Sequence, residues 1–175
     1  MRYAGQLLTV IIFYKSKNQE TALHASSYFY CIKLFIMITK LSHTSFFVTD
    51  QNKAYDFYVN KLGFKVHTDV TMDNGFRWLT VTAPEQPELE IVLFPATEGV
   101  NGFDEDVRNA LKLLLDKGVM GAGAMYTPDC RATYEELKAK GVHFKSEPKE
   151  QFYGIEAIIT DGCGNWFSMT QPKEG

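Results

Sequence analysis

The chain is poor in cysteine and in any excess of basic charge. Its 175 residues hold three cysteines, Cys31, Cys130 and Cys163, far apart and without a CxxC pair. That excludes a disulfide framework and a thiolate zinc site, and points to a reducing, cytoplasmic setting. The net charge is −3, with acids and bases interspersed and no basic stripe of the kind that tracks a phosphate backbone, so nucleic acid is not an expected partner. A long apolar run is missing too. The patches Leu7–Tyr14 and Tyr28–Met37 are each too short to span a bilayer, and Lys33 interrupts the second. No charged start, single apolar block and small-residue cleavage site follow one another as in a secretory leader. A membrane partner is therefore not expected.

What the chain has is apolar bulk and a repeat. It is 45% hydrophobic and 14% aromatic, enough for one domain of ordinary size or two small modules sharing a core. The stretch Leu41–Val66, LSHTSFFVTDQNKAYDFYVNKLGFKV, returns in shortened form as Gly121–Phe144, GAGAMYTPDCRATYEELKAKGVHF. Asp50 matches Asp129, Tyr55 matches Tyr134, and Gly63 matches Gly141 once one residue is dropped near the helix end. Each copy reads as strand, capping acid, helix, glycine stop and strand. A repeated unit of this size predicts one fold built from two similar halves.

Residues 1–36 resemble neither copy. They are read as an atypical N-terminal extension, with Met37 as the natural start; a membrane-surface or dimer-contact segment is the sharper alternative. From there, alternation predicts a strand over 38–48 and a helix from Asp50 to Gly63. Strands are expected at 64–68, 76–82 and 89–94, with a turn at Asp73-Asn74-Gly75 and a loop over 84–87. A linker over 95–102 leads to a connecting helix over 104–117, with an apolar stripe of Val107, Ala110, Leu111, Leu114 and Leu115. The second half repeats the order: strand 121–127, helix 130–140, and strands 142–146, 154–160 and 166–170. The fold class is α+β, with two βαβββ modules over 38–96 and 119–171.

The order and spacing of LSHTSFFVTD, FYVNKLGF, TYEELKAKGVHF and DGCGNWFSMTQ resemble the vicinal oxygen chelate superfamily, which holds glyoxalases, bleomycin-resistance proteins and extradiol dioxygenases. The resemblance covers 38–171. It implies that the two modules pack so that curved sheets enclose a cupped cavity, that the protein pairs as a homodimer, and that metal-dependent members hold a divalent cation there. The family's four ligand positions fall on His43, Glu90, Ala122 and Ser168. The first two suit a metal; alanine cannot coordinate through its side chain and a serine hydroxyl is a poor ligand, which leaves two of the three protein groups a catalytic metal needs. The cofactor is thus none or a divalent metal. Glu156 is the obvious substitute, provided its set (Glu156, Ile158, Thr160) rather than Ile155, Ala157 and Ile159 faces the cavity.

Several residues carry two readings. His43 is a cavity base or ligand, or a hydrogen-bonded structural histidine. Glu90, an acid between Leu89 and Ile91, is costly to bury unpartnered, which makes His43 its natural mate unless that face is solvated. Trp166, Ser168 and Thr170 share a face, and Trp166 either stacks on a flat ligand or fills the core. Tyr126 and Tyr153 are further cavity candidates; Tyr126 shares parity with Ala122 and Ala124, small residues that would leave room. Cys130 sits where a helix dipole could favour thiolate, but no base accompanies it. Cys163 is read as a turn residue, and His67 and His143 as exposed strand ends. The expected activity is binding of a small molecule, through His43, Glu90, Tyr126, Tyr153, Glu156, Trp166 and Ser168. The alternative is a metal-dependent lyase, isomerase or dioxygenase, with His43 and Glu90 as ligands. A module that only docks a protein partner is the third, since fold alone does not give function.

Overall fold

A computed structural model describes residues 38–97, 99 and 102–173. The readings placed on Cys31 and on the two N-terminal apolar patches lie outside the described residues. The compact unit that begins at Leu41 holds eight strands and the helices between them.

The first half runs β1 (His43–Val48), α1 (Gln51–Tyr55, continuing as a π-helical segment over Asp56–Lys61), β2 (Lys65–Thr71), β3 (Arg77–Ala83) and β4 (Gln86–Pro95). After α2 (Glu105–Asp116) come β5 (Met120–Tyr126), α3 (Cys130–Ala139), β6 (Phe144–Gln151), β7 (Gly154–Thr160) and β8 (Asn165–Pro172). The strands form two four-stranded sheets of the same order, β1-β4-β3-β2 and β5-β8-β7-β6. In each, the first and last strands pair parallel and the rest antiparallel. The βαβββ repeat is thus present twice. Several strands outrun the sequence expectation, β2 on to Thr71 and β8 on to Pro172. β4 begins at Gln86, inside the expected loop, and β6 runs on to Gln151 through Pro148. β6 is an edge strand whose register shifts between Ser146 and Lys149, and an edge or bulge is where a strand tolerates a residue without an N–H.

Both helices start as the capping acids dictate. Asp50 Oδ1 accepts from the backbone N–H of Asn52 at 2.8 Å and Lys53 at 3.1 Å, and Asp129 Oδ1 from that of Ala132 at 2.9 Å. They end differently. In α3, Lys140 N donates to Glu136 O, four residues back; in the first half, Leu62 N donates to Phe57 O, five back. The residue by which the first copy exceeds the second is absorbed there, as one wide π turn inside an α-helix. Both segments then stop on a left-handed glycine, Gly63 at φ 79° and Gly141 at φ 75°.

The helices cover one face of each sheet. Val48, Leu79, Val81, Ile91 and Leu93 from the first sheet join Ala157, Ile159, Phe167 and Met169 from the second in one core. At its centre the Phe46 ring lies 5.2 Å from Phe167 and 6.0 Å from Tyr58, centroid to centroid. Tyr58 is fully buried, so its hydroxyl needs a partner, and it donates to Asp161 Oδ2 at 3.1 Å. Asp161 opens the β7–β8 turn. Its Oδ1 accepts from Cys163 N at 2.7 Å and Asn165 N at 3.0 Å, and its Oδ2 also accepts from Asn165 Nδ2 at 2.6 Å. Asn165 Nδ2 donates as well to Phe47 O in β1, at 2.8 Å. This buried knot ties the last hairpin of the second half to the first strand and helix of the first. Burial pushes the Asp161 carboxyl above its ordinary range against the pull of these donors, and pushes the Tyr58 hydroxyl up as well. Burial raises the Cys163 thiol to about 11 and the Cys130 thiol above its ordinary value, so neither is poised as a thiolate.

Two tests follow from the knot. Tyr58→Phe removes one donor from a buried carboxylate and should cost about 1–3 kcal/mol in urea denaturation. Asp161 binds its proton more readily folded than unfolded. Its contribution to stability is therefore full below its unfolded pKa and is lost as pH rises through the folded one. The stability of wild type minus that of Asp161→Asn should fall as pH rises through the range just above ordinary carboxylate values. A difference that instead grows with pH would show the donors outweighing desolvation.

Candidate functional site

The face of each sheet turned away from the helices carries the polar residues. In the first sheet His43 and Glu90 are register partners across the parallel β1–β4 pair. His43 Nε2 stands 3.4 Å from Glu90 Oε1, and His67 Nδ1 3.0 Å from Glu90 Oε2. The fully buried Thr80 donates its hydroxyl to the same Oε2 at 2.8 Å while accepting from Thr68 N at 3.2 Å. Each imidazole thus faces its own oxygen of the carboxylate at ion-pair distance. The Glu90 side chain is 17% exposed, against 44% for His43 and 53% for His67. The acid is therefore the inner member and the imidazoles form its rim.

Aromatic rings continue the same face. Trp78 lies 6.4 Å from the His43 ring and 6.4 Å from Phe76; Phe76 is 5.5 Å from Phe94, which stands 5.7 Å from both Phe47 and Phe103. These six rings, histidine included, make a wall leading away from the carboxylate.

The second sheet answers the orientation of its seventh strand. Ala157 and Ile159 lie in the core, so Glu156, Ile158 and Thr160 face the open side. Glu156 Oε1 accepts from Ser168 Oγ at 2.5 Å, and that hydroxyl also meets Thr170 Oγ1 at 2.7 Å. Tyr153 stands beside the same acid: burial, then the Glu156 carboxylate, raise its hydroxyl pKa. Trp166 lies over Gly121, where a Cβ would come within 2.8 Å of the ring, and its indole N–H donates to Val119 O at 3.2 Å. Tyr126, at the end of β5, is 81% exposed.

The sequence candidates thus fall into two clusters, His43 with Glu90 and Ser168 with Glu156 and Tyr153. No hydrogen bond or ion pair among the described residues joins them. His67 corrects its reading as a strand end. It sits inside β2, beside the register shift between Val66 and Thr68, on the face where Thr80 and Glu90 meet it. Ala122 is a second correction. β5 is also irregular between Gly121 and Gly123, and Ala122 packs against the core, so it does not share a face with Ala124 and Tyr126. By register the residue paired with Trp166 is Gly121, as His43 is paired with Glu90. Period-two counting from the capping acid fails at a bulge, and no residue in either strand marks one in advance. Trp78 and the Thr80 hydroxyl escaped the sequence reading, and Phe94 was set on the face of Glu90 by alternation without being taken as a site residue.

Among the described residues no group of three or more His, Cys, Asp or Glu is arranged to hold a metal ion. His43 and His67 face different oxygens of one carboxylate. No helix among the described residues is long and apolar enough to cross a membrane.

Paired βαβββ modules with parallel first and last strands define a glyoxalase-like architecture. The chain belongs to the Glyoxalase/Bleomycin resistance protein/Dioxygenase superfamily, whose family model matches residues 40–169. It is 34% identical over 133 residues to the uncharacterized protein YurT of Bacillus subtilis (strain 168), covering 75% of this chain and 98% of that one. Among solved structures it is similar to UcmS2, with 41% identity, a TM-score of 0.72, and 77% of this chain and 99% of that chain covered. It is also similar to TnmS3, an antibiotic binding protein from Streptomyces sp. CB03234, with 29% identity, a TM-score of 0.59, and 79% and 100% covered.

Thr80→Val keeps the shape of the side chain but leaves the inner carboxylate short of a donor. It should destabilise the protein by about 1–2 kcal/mol in urea denaturation. Unchanged stability would mean that water replaces the hydroxyl.

Proposed function

We propose that this chain binds a small, flat, largely aromatic molecule on the open face of its first sheet, without a complete metal site. The observation that carries the reading is the inner carboxylate of Glu90, fixed by His43, His67 and Thr80, at the foot of the wall formed by Trp78, Phe76, Phe94, Phe47 and Phe103. Aromatic surface supplies most of the affinity in such a site, and a few fixed polar groups set orientation. A negative group beside ring faces favours a ligand that carries an amine. Likeness to TnmS3, described as antibiotic binding, supports the binding of a small molecule. Glu156, Ser168, Tyr153, Tyr126 and Trp166 are the second sheet's contribution to the cup. In this reading 37–171 is the functional unit, residues 1–36 stand outside it, and the protein works in the cytoplasm as a homodimer.

A panel of flat polycyclic amines should raise the melting temperature of the wild type and quench Trp78 fluorescence. Trp78→Ala should weaken the best binder about tenfold, equivalent to about 1.4 kcal/mol. A panel that shifts nothing counts against the proposal.

The adjacency of His43 and Glu90 favours one other reading, a metal-dependent lyase, isomerase or dioxygenase in which they are ligands and the cation acts as a Lewis acid on vicinal oxygens. Protein grown with added nickel, zinc, manganese and iron decides it. Stoichiometric metal that His43→Ala abolishes supports the enzyme; metal-free protein rejects it.

A further inference from the structure

The hairpin that joins β2 to β3 places an Asn-Gly step at the edge of the aromatic wall. Its turn is Asp73-Asn74-Gly75, with Asn74 and Gly75 both exposed and Gly75 at φ 84°. An asparagine side-chain carbon can be attacked by the backbone nitrogen of the next residue, closing a succinimide ring. The attack is easiest where that residue is glycine, since no Cβ crowds the nitrogen and the backbone turns freely. The other described asparagines, Asn52, Asn60, Asn109 and Asn165, precede Lys, Lys, Ala and Trp. The first three lie in helices, and Asn165 is buried at the start of β8. Asp161-Gly162 is the acid counterpart, but Asp161 is buried and its carboxyl accepts from Tyr58, Cys163 and Asn165, so it is neither free to turn nor open to water.

Gly75 N donates to Met72 O at 2.9 Å, and Met72 N donates to Phe76 O at 2.8 Å. Phe76 N donates to Asn74 Oδ1 at 3.1 Å. The first bond engages the attacking nitrogen and brakes the reaction. The last draws electron density from the amide carbon and folds that side chain back over the Gly75 peptide. The brake is weak, because the turn lies at the end of an edge strand. β2 pairs only with β3 in its sheet, their last registered pair is Thr71 with Arg77, and Val70 is 55% and Met72 49% exposed. Such an end opens locally at little cost, with the core still folded. Phe76 follows the turn directly and is buried, its ring 5.5 Å from Phe94 and 6.4 Å from Trp78. Both Met72 and Asn74 hold the Phe76 backbone, so the turn sets where that ring stands.

We propose that Asn74-Gly75 is a site of spontaneous rearrangement that unseats Phe76 from the wall. Gly75 N attacks Asn74 Cγ. A new C–N bond forms, the bond from Cγ to Nδ2 breaks, and ammonia leaves with the proton that Gly75 gives up. Water then opens the succinimide at either carbonyl. Opening at Cγ yields aspartate with the chain unaltered. Opening at the main-chain carbonyl yields isoaspartate, in which the chain runs through the former side chain and is longer by a methylene. Water is consumed and ammonia released, with no oxidant or cofactor. In the isoaspartate the oxygen that held Phe76 N becomes a main-chain carbonyl oxygen. The added length shifts Phe76 against the register fixed at Thr71 and Arg77. The consequence for ligand binding rests on the functional reading above; the chemistry at Asn74 does not.

The full chain is held in mildly alkaline buffer at physiological temperature, sampled over time and cut with trypsin. Cleavage after Lys65 and Arg77 isolates residues 66–77 from the Asn101-Gly102 step, which falls in the next peptide. The 66–77 peptide should gain the mass of an amide-to-acid exchange and split into two products, one of them a substrate for protein isoaspartate methyltransferase. In Asn74→Gln, whose longer side chain closes a larger ring far more slowly, the peptide should stay intact. The aged wild type, separated by its added negative charge, should lose part of its near-ultraviolet aromatic dichroism, and Asn74→Gln aged alongside should keep it. A 66–77 peptide that stays intact in the folded chain while a synthetic peptide of the same sequence converts overturns the site. Conversion with the dichroism unchanged overturns the link to Phe76. No ligand enters any arm, so a failure to bind flat amines would leave this result standing.

Discussion

A carboxylate taken out of water is stable only where donors replace its hydration, and Asp161 is the place where this chain meets that condition. Four donors converge on it: two backbone N–H groups of its own turn, the Asn165 amide, and the Tyr58 hydroxyl from the other half of the molecule. Removing any one leaves a buried acceptor short, which is more costly than the bond itself is favourable. The same asparagine reaches the Phe47 carbonyl in β1, the strand that carries His43. The seam between the halves and the placement of the open face that carries His43 therefore depend on one cluster. Tyr58 has no counterpart in the second half, where Leu137 stands eight residues after the capping acid. The two modules repeat each other in form, and the contact between them is one-sided.

Two single-residue irregularities account for most of the difference between the halves. The π turn after Tyr55 absorbs the extra residue of the first helix without disturbing the glycine stop. The bulge at Ala122 turns a residue that simple counting sends to the open face back into the core. The repeat itself was legible because it rests on strong local signals: a capping aspartate, an amphipathic helix and a glycine able to adopt positive φ. The pairing of His43 with Glu90 was legible only through the family's ligand positions, and the side taken by Glu156, with its proximity to Ser168, stayed open until the core residues Ala157 and Ile159 were placed. His67 was not legible, because its approach to Glu90 on β4 crosses β3 and appears only once the three strands are in register. The aromatic wall was hidden for another reason. Rings at Trp78 and Phe94 read equally well as core, and only the helices' coverage of the opposite face tells which side is open.

Each open face ends up with one acid in a different setting. Glu90 is enclosed by two imidazoles and a hydroxyl beside rings, whereas Glu156 is held by the Ser168 hydroxyl, with Tyr153 beside it. The superfamily's paired modules thus bring two unlike half-sites rather than two copies of one. A molecule spanning both would meet aromatic surface at one end and hydroxyl groups at the other. In the proposed binding reading, that asymmetry would give a ligand a preferred direction, which a symmetric cup would lack.

The buried thiols of Cys130 and Cys163 have a use that follows from their silence. Cys163 lies inside the Asp161 turn, its Sγ against the Asp50 carbonyl, and Cys130 lies under β8 with its Sγ against the Met169 carbonyl. Neither can meet a bulky alkylating reagent while the halves stay closed. The rate at which Cys163 becomes labelled is therefore a clock for separation of the modules, and the rate at Cys130 is a clock for loosening of the second sheet from its helix. Among the described residues there are thus two native reporters of the molecule's breathing, one at the seam and one within the second half.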